Sequence, residues 1–131
     1  MPLSDNLTLN PGSYGGTAAD KIYNLIFPAS PTSGSLRRVA ATALTAPETH
    51  TVNHRVLTKS DGIKVNQHQI RVDETVLSTL AGAQKIEAWM VIKAPQGVSE
   101  ITAAKVKDLV GRMFATWMVA GAADAILAGE S

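Results

Sequence analysis

The chain has 131 residues, 12 of them Lys or Arg and 11 Asp or Glu, no cysteine, and a formal net charge of +1. That length suits one domain, and a composition 45% hydrophobic and 18% charged excludes a disordered tail. The lack of cysteine excludes disulfide frameworks, cysteine-ligated zinc and thiol nucleophiles, and near-neutrality excludes a uniformly basic nucleic-acid binder, so any RNA binding must come from where the cations sit.

No basic region leads into an apolar run at Met1–Asp5, so no signal peptide is expected. The longest uncharged apolar stretch, Met113 to Ala123, is far short of the roughly 20 residues that span a bilayer, and a soluble protein without membrane partners is expected. Leu7 to Asn10 reads as a short strand and Ile22 to Phe27 as a second, closed by Pro28. The turn between them, Pro11-Gly12-Ser13-Tyr14-Gly15-Gly16, would use glycine at positive φ. The two strands form an N-terminal hairpin over about 7–27. A third strand is expected over Leu36 to Leu44. Thr49 to Lys59 then meets Ile63 to Asp73 across Ser60-Asp61-Gly62, because Asp-Gly tolerates the positive φ of a tight hairpin turn. Glu74 to Gln84 reads as a loop and Lys85 to Lys93 as the last strand, so the antiparallel sheet covers 36–93.

Beyond Pro95 the apolar period changes from two to 3.6. Ser99 fits an N-cap, and Glu100 suits the positive end of a helix. Ile101, Val106, Leu109, Val110, Met113, Phe114, Trp117 and Met118 form one broad apolar face, opposite Lys105, Asp108 and Arg112. Gly121 marks a break before a second helix over Ala122 to Ala128, placing two helices within 99–129. Strands followed by helices give an α+β fold in a single domain, 1–131. The end of the chain is apolar nearly all round, more than one sheet face needs. An interface with a second copy through Leu109, Met113, Phe114, Trp117, Met118, Ile126 and Leu127 resolves that excess; a helix buried within a monomer is the other resolution.

Strand parity divides the sheet into two faces. Val52, His54 and Val56, with Ile70 and Val72 and with Ile86, Ala88, Met90 and Ile92, form a mostly apolar face for the helices to cover. The opposite face carries Asn53, Arg55, Lys59, Gln67, Gln69, Arg71, Lys85, Glu87 and Trp89, with Lys93 adding charge and Glu87 as its one acid. Cations neutralise phosphates, amides read base edges and a ring stacks an unpaired base. The same alternation also describes an ordinary solvated face of an antiparallel sheet.

Nothing in the spacing supports catalysis, a cofactor or a metal. His50 and His54 lie roughly 13 Å apart on a strand, too far to share an ion. No Walker lysine follows the glycines at 12–16, and Asp73 and Glu74 point to opposite faces.

In residue order the chain resembles the coat proteins of small single-stranded RNA bacteriophages, the leviviruses. The likeness rests on Tyr23-Asn24-Leu25-Ile26-Phe27-Pro28, on His50 to Asp73 with its Asp61-Gly62 turn, and on Lys85 to Pro95 leading into Ser99-Glu100 and the helix. The resemblance implies an obligate homodimer whose two sheets join and whose helices grip the opposite subunit. It further implies an icosahedral shell in the virion, assembled in the bacterial cytoplasm, with the polar sheet face turned toward single-stranded genomic RNA. In some relatives that face also binds an RNA hairpin and represses replicase translation. Here Lys85 stands where some relatives carry a stacking tyrosine, leaving Trp89 as the aromatic of that face, and the loop before the last strand has no crosslinking cysteine. A dimeric RNA-binding regulator that never assembles, or a dimeric enzyme with its site between subunits, would use the same architecture.

Overall fold

Alternating polar and apolar residues resolve into six strands in the computed structural model, which describes residues 6–14, 16, 18–28, 34–40, 42 and 45–129. The strands are β1 (Leu7–Leu9), β2 (Lys21–Phe27), β3 (Ser35–Val39), β4 (Glu48–Thr58), β5 (Lys64–Ser78) and β6 (Gly82–Pro95), and two helices follow, α1 (Ala103–Met118) and α2 (Ala122–Leu127). The α+β order expected from the sequence is the order found. The strands make one compact unit. The second comprises a 3-10 turn at Pro11–Tyr14 and the two helices.

Every strand pairs antiparallel with its sequence neighbour, so spatial order equals chain order from β1 to β6. The N-terminal hairpin forms, with Leu7 opposite Tyr23 and Leu9 opposite Lys21. In its connection Gly12 and Gly16 hold no positive φ, and Gly15, the third glycine of the expected turn, lies outside the described residues. The Gly12 amide donates to Asn10 Oδ1 at 2.9 Å and the Gly16 amide to the Pro11 carbonyl at 3.0 Å, which closes the turn in helical geometry.

Three boundaries depart from the sequence reading, each for a local reason. The third strand stops at Val39 because the amide and hydroxyl of Thr42 both donate to the Val39 carbonyl, at 3.3 and 2.8 Å, and turn the chain; residues 41, 43 and 44 lie outside the described set. The segment 74–84 is no loop. β5 runs on through Thr75, Val76 and Leu77, whose branched side chains suit a strand, and pairs with β6 down to Ser78 opposite Gly82. Ser78 Oγ accepts from the amides of Leu80 and Ala81, both at 3.3 Å, and Gly82 supplies φ 69°. The first helix starts after Thr102, not Ser99: Thr102 Oγ1 accepts from the Lys105 amide at 3.3 Å, whereas the Ser99 hydroxyl donates to the Glu100 carboxylate.

The chain's own core is slight. Tyr23, Val52 and Val65 are its buried apolar residues among those described, and neither helix has a buried residue. Val56, Ile70, Val76 and Ile86, on the apolar sheet face, remain exposed.

Candidate nucleic-acid interface

Cross-strand partners in an antiparallel sheet share a face, so the register tests strand parity directly. Arg55, Gln67 and Lys93 stand in one row across β4, β5 and β6; Asn53, Gln69 and Val91 in the next; then Thr51, Arg71 and Trp89; then Thr49, Asp73 and Glu87; and Thr75 with Lys85. Eight of the nine residues expected on the polar face are therefore strand positions on one face. The ninth, Lys59, lies just past the last ladder pair, Thr58 with Lys64, in the turn that its own amide closes on the Ile63 carbonyl at 2.9 Å. Arg38, opposite Thr49, joins the same face from β3.

The electrostatics divide this face in two. In the half nearer the Asp61–Gly62 turn, Gln67 is buried and its Oε1 accepts from Arg55 Nη2 at 3.4 Å; turning the amide over would bring the oxygen to 3.0 Å from Nη2 and 3.1 Å from Nε. That pair fixes the guanidinium plane while leaving its charge uncompensated. Among the described residues no carboxylate lies within ion-pair distance of Arg55, Lys59 or Lys93.

The other half is closed upon itself. Arg71 Nε donates to Asp73 Oδ1 at 2.7 Å and Oδ2 at 3.0 Å, and its Nη2 meets Glu87 Oε1 at 2.5 Å. Lys85 Nζ reaches Asp73 Oδ2 at 3.3 Å and Glu87 Oε1 at 3.0 Å. Two cations and two carboxylates cancel. The expectation that Glu87 is the one acid of this face is thus corrected: Asp73 is a second, buried at 8% exposure. Burial alone would raise the Asp73 carboxyl, but hydrogen bonds and charge from Arg71 and Lys85 outweigh it and hold the group below the usual carboxylate range. The hydrogen bond to Glu87 in turn raises Lys85. Trp89 borders the neutral half in register with Arg71 and is 60% exposed.

On the opposite face, near β2, lies a polar cluster that sequence reading missed. Tyr23 Oη donates to Glu48 Oε1 at 2.5 Å, and Lys21 Nζ donates to both Glu48 oxygens at 3.0 and 2.9 Å. The Tyr23 ring tilts against His50, with centroids 5.6 Å apart. Burial, then the hydrogen bond and charge of Glu48, push the Tyr23 hydroxyl far above its ordinary value. Burial, then the charge of Arg37, lowers His50, whose Nδ1 has no hydrogen-bond partner among the described residues. Arg37 also donates to Ser35 Oγ at 2.7 Å. Alternation in β2, β3 and β4 could have placed these residues together, but it does not supply the β2–β4 spacing, which depends on β3 lying between.

The side chains expected at a subunit interface all remain exposed: Leu109, Met113 and Trp117 in an i, i+4 stripe, Phe114 and Met118 beside it, and Ile126 and Leu127 on α2. Within the helical unit Phe114 packs on Tyr14 with ring centroids 5.1 Å apart. Among the described residues no group of three or more His, Cys, Asp or Glu is placed to hold a metal ion, and no helix is long and apolar enough to cross a membrane.

No protein-family model matches the chain, and no curated protein matches it. Solved structures do. The virus-like particle of bacteriophage ESE020 is similar over 100% of this chain and 99% of its own, at 20% identity and a TM-score of 0.59. The coat protein of bacteriophage EMS014 is similar over 88% of this chain and 73% of its own, at 18% identity and a TM-score of 0.53. The virus-like particle of the same phage matches over 86% and 72%, at 17% identity and a TM-score of 0.53. The fold is that of bacteriophage coat proteins, and the likeness to the ESE020 particle subunit spans the whole chain.

Proposed function

We propose that this chain is the coat protein of a small single-stranded RNA bacteriophage. Two copies form an obligate dimer, dimers assemble into an icosahedral shell, and the polar sheet face holds genomic RNA inside the virion. The role is structural, without catalysis or cofactor. The observation that carries the reading is the full-length likeness to a subunit of a phage virus-like particle.

Physical arguments support it. Three buried apolar residues among those described are few for a domain of this length, since burying a large apolar side chain contributes about 1.5–3 kcal/mol. The seven exposed apolar side chains of α1 and α2 supply the missing burial when a second copy covers them. β6 ends the sheet, and a 14-residue edge strand with free backbone groups invites pairing. Antiparallel pairing of β6 with β6 of a second copy joins two six-stranded sheets across a two-fold axis and makes one continuous polar face from two. The β5–β6 tip, with Leu77 and Leu80 exposed, reaches toward neighbouring dimers around the symmetry axes of the shell. On the inner face the phosphates fall on Arg55, Lys59 and Lys93, with Asn53 and Gln69 available to bases and Trp89 to stacking, while the buried Gln67 acts by holding Arg55. Binding of one particular RNA hairpin there would add translational repression of the replicase, and assembly would take place in the bacterial cytoplasm.

Size-exclusion chromatography with light scattering and a 260/280 nm absorbance ratio tests the reading. The proposal expects a species of many tens of chains that carries RNA. Dimers that bind RNA but never grow would instead make the chain a regulatory RNA-binding protein, and monomers would remove both readings.

A further inference from the structure

Counting seven residues outward from Asp61 on each side of the β4–β5 turn arrives at His54 and His68, which are direct partners in the ladder. Their rings meet edge to face with centroids 5.0 Å apart and an interplanar angle of 71°, and Nδ1 faces Nδ1 at 2.8 Å. Two nitrogens at that distance hold either one proton or one metal ion between them; two protons cannot both occupy the gap.

We propose that His54 and His68 form a cross-strand site for a late first-row divalent transition-metal ion of square coordination preference, Cu(II) or Ni(II). Nitrogens bound at 2.0–2.1 Å and separated by 2.8 Å subtend roughly 85–90° at the metal, whereas a tetrahedral ion would need them about 3.3–3.4 Å apart. The pair therefore fits two adjacent corners of a square, the arrangement that Cu(II) and Ni(II) favour, and imidazole is a good ligand for both. Water takes the two remaining corners. The ion takes the place of the one proton that fits between the two Nδ1 atoms, and that proton leaves to solvent or to an Nε2.

The surroundings agree. The neighbouring ladder rows on this face hold Val52, Ile70 and Met90 on one side and Val56, Asn66 and Ala94 on the other, with Ile92 beside His68. None carries charge, so no cation repels the ion and no carboxylate turns the site toward calcium or magnesium. His54 is exposed and His68 half-buried, which gives the ion a way in and one preorganised ligand. His50, the third histidine of the chain, lies buried in the Tyr23–Glu48 cluster and takes no part. The spacing that sequence reading rejected, His50 with His54, and the pair that the sheet assembles are thus different pairs. The site lies on the sheet face that helices cover in the proposed dimer, so its accessibility to the ion rests on that reading, whereas the pairing of the two rings is set within one chain.

Calorimetric titration of CuCl2 and NiCl2 into the purified full-length protein, in a buffer that does not chelate, tests the proposal alongside Cu(II) electron paramagnetic resonance. One ion per chain is expected, with hyperfine structure from two imidazole nitrogens and a tetragonal spectrum. His54→Gln and His68→Gln should each weaken binding at least tenfold. The spectrum of the unaltered protein keeps the test decisive even where a variant folds poorly. No saturable binding, a spectrum with fewer than two imidazole nitrogens, or unchanged affinity in both folded variants would overturn the assignment.

Discussion

Replacing Arg55 and Lys93 together by glutamine removes two cations of the polar face that no carboxylate among the described residues compensates, and keeps an uncharged polar side chain at each strand position. If each guanidinium or ammonium neutralises one RNA phosphate, each contributes about 0.7 to the slope of log K against log salt for a single strand. The double variant should therefore lose about 1.4 from that slope, and its deficit against the unaltered protein should be about sevenfold larger at 50 mM than at 200 mM salt. The charge-balanced control is Arg71→Gln with Asp73→Asn. It removes one cation and one carboxylate from the closed network and leaves Lys85 facing Glu87, so its salt slope should match that of the unaltered protein. Fluorescence anisotropy with a labelled single-stranded RNA, repeated at four or more salt concentrations, measures both. An unchanged slope in the first variant would refute the assignment of phosphate contacts to Arg55 and Lys93. An equal loss in the control would refute the division of the face into an open and a closed half.

Other consequences are as direct. His50 is held below its ordinary pKa by burial and by Arg37, so the unfolded chain takes up a proton first as the pH falls. Stability should drop as the pH falls below about 6.5, down to the depressed folded value, and His50→Gln should flatten that slope in urea melts at pH 7.5 and 5.5. Asp73 has the opposite origin: its folded pKa is depressed, so its stabilisation is complete above about pH 4 and is lost as the pH falls through the folded value; Asp73→Asn should abolish that acid limb. Trp117→Asp places an unpaired carboxylate in the proposed interface at a cost of about 3–5 kcal/mol, enough to abolish soluble dimer. A well-folded soluble monomer would show that the helix stripe is no interface. Gly82→Ala meets no atom within 4 Å of the added Cβ but holds φ at 69°, so a backbone cost of about 1–2 kcal/mol should appear as a lowered Tm; an unchanged Tm would mean that the β5–β6 turn is not left-handed.

Much of the sheet could be read from residue order because the Asp61-Gly62 turn fixes a centre of symmetry. Once that centre is known, parity assigns every residue of β4 and most of β5 to a face, and the eight strand positions of the polar face follow. The closed ion network could not be read in the same way. It depends on where β5 turns into β6, and the small residues of 74–84 conceal a continuous hairpin whose turn is held by Ser78 and Gly82 rather than by a strong turn pair. With that segment read as a loop, Asp73 fell at its edge and its alignment with Lys85 and Glu87 was lost. The helix start was ambiguous for another reason: Ser99 and Thr102 are both good capping residues, and only the hydroxyl of Thr102 reaches an amide three residues on. His54 and His68 were within reach, since counting outward from Asp61 pairs them. The apolar stripe of α1 was plain from its period, but period says nothing about what covers it.

Cryo-electron microscopy of particles purified after expression in bacteria tests the central claim, that this chain builds a shell from dimers. The account predicts closed icosahedral particles whose repeating unit is a two-fold pair of chains with β6 beside β6, helices packed against the opposite chain, and RNA density against the row of Arg55 and Lys93. Well-folded protein that forms no closed particle in the presence of RNA at moderate salt, or particles in which β6 stays unpaired, would contradict it.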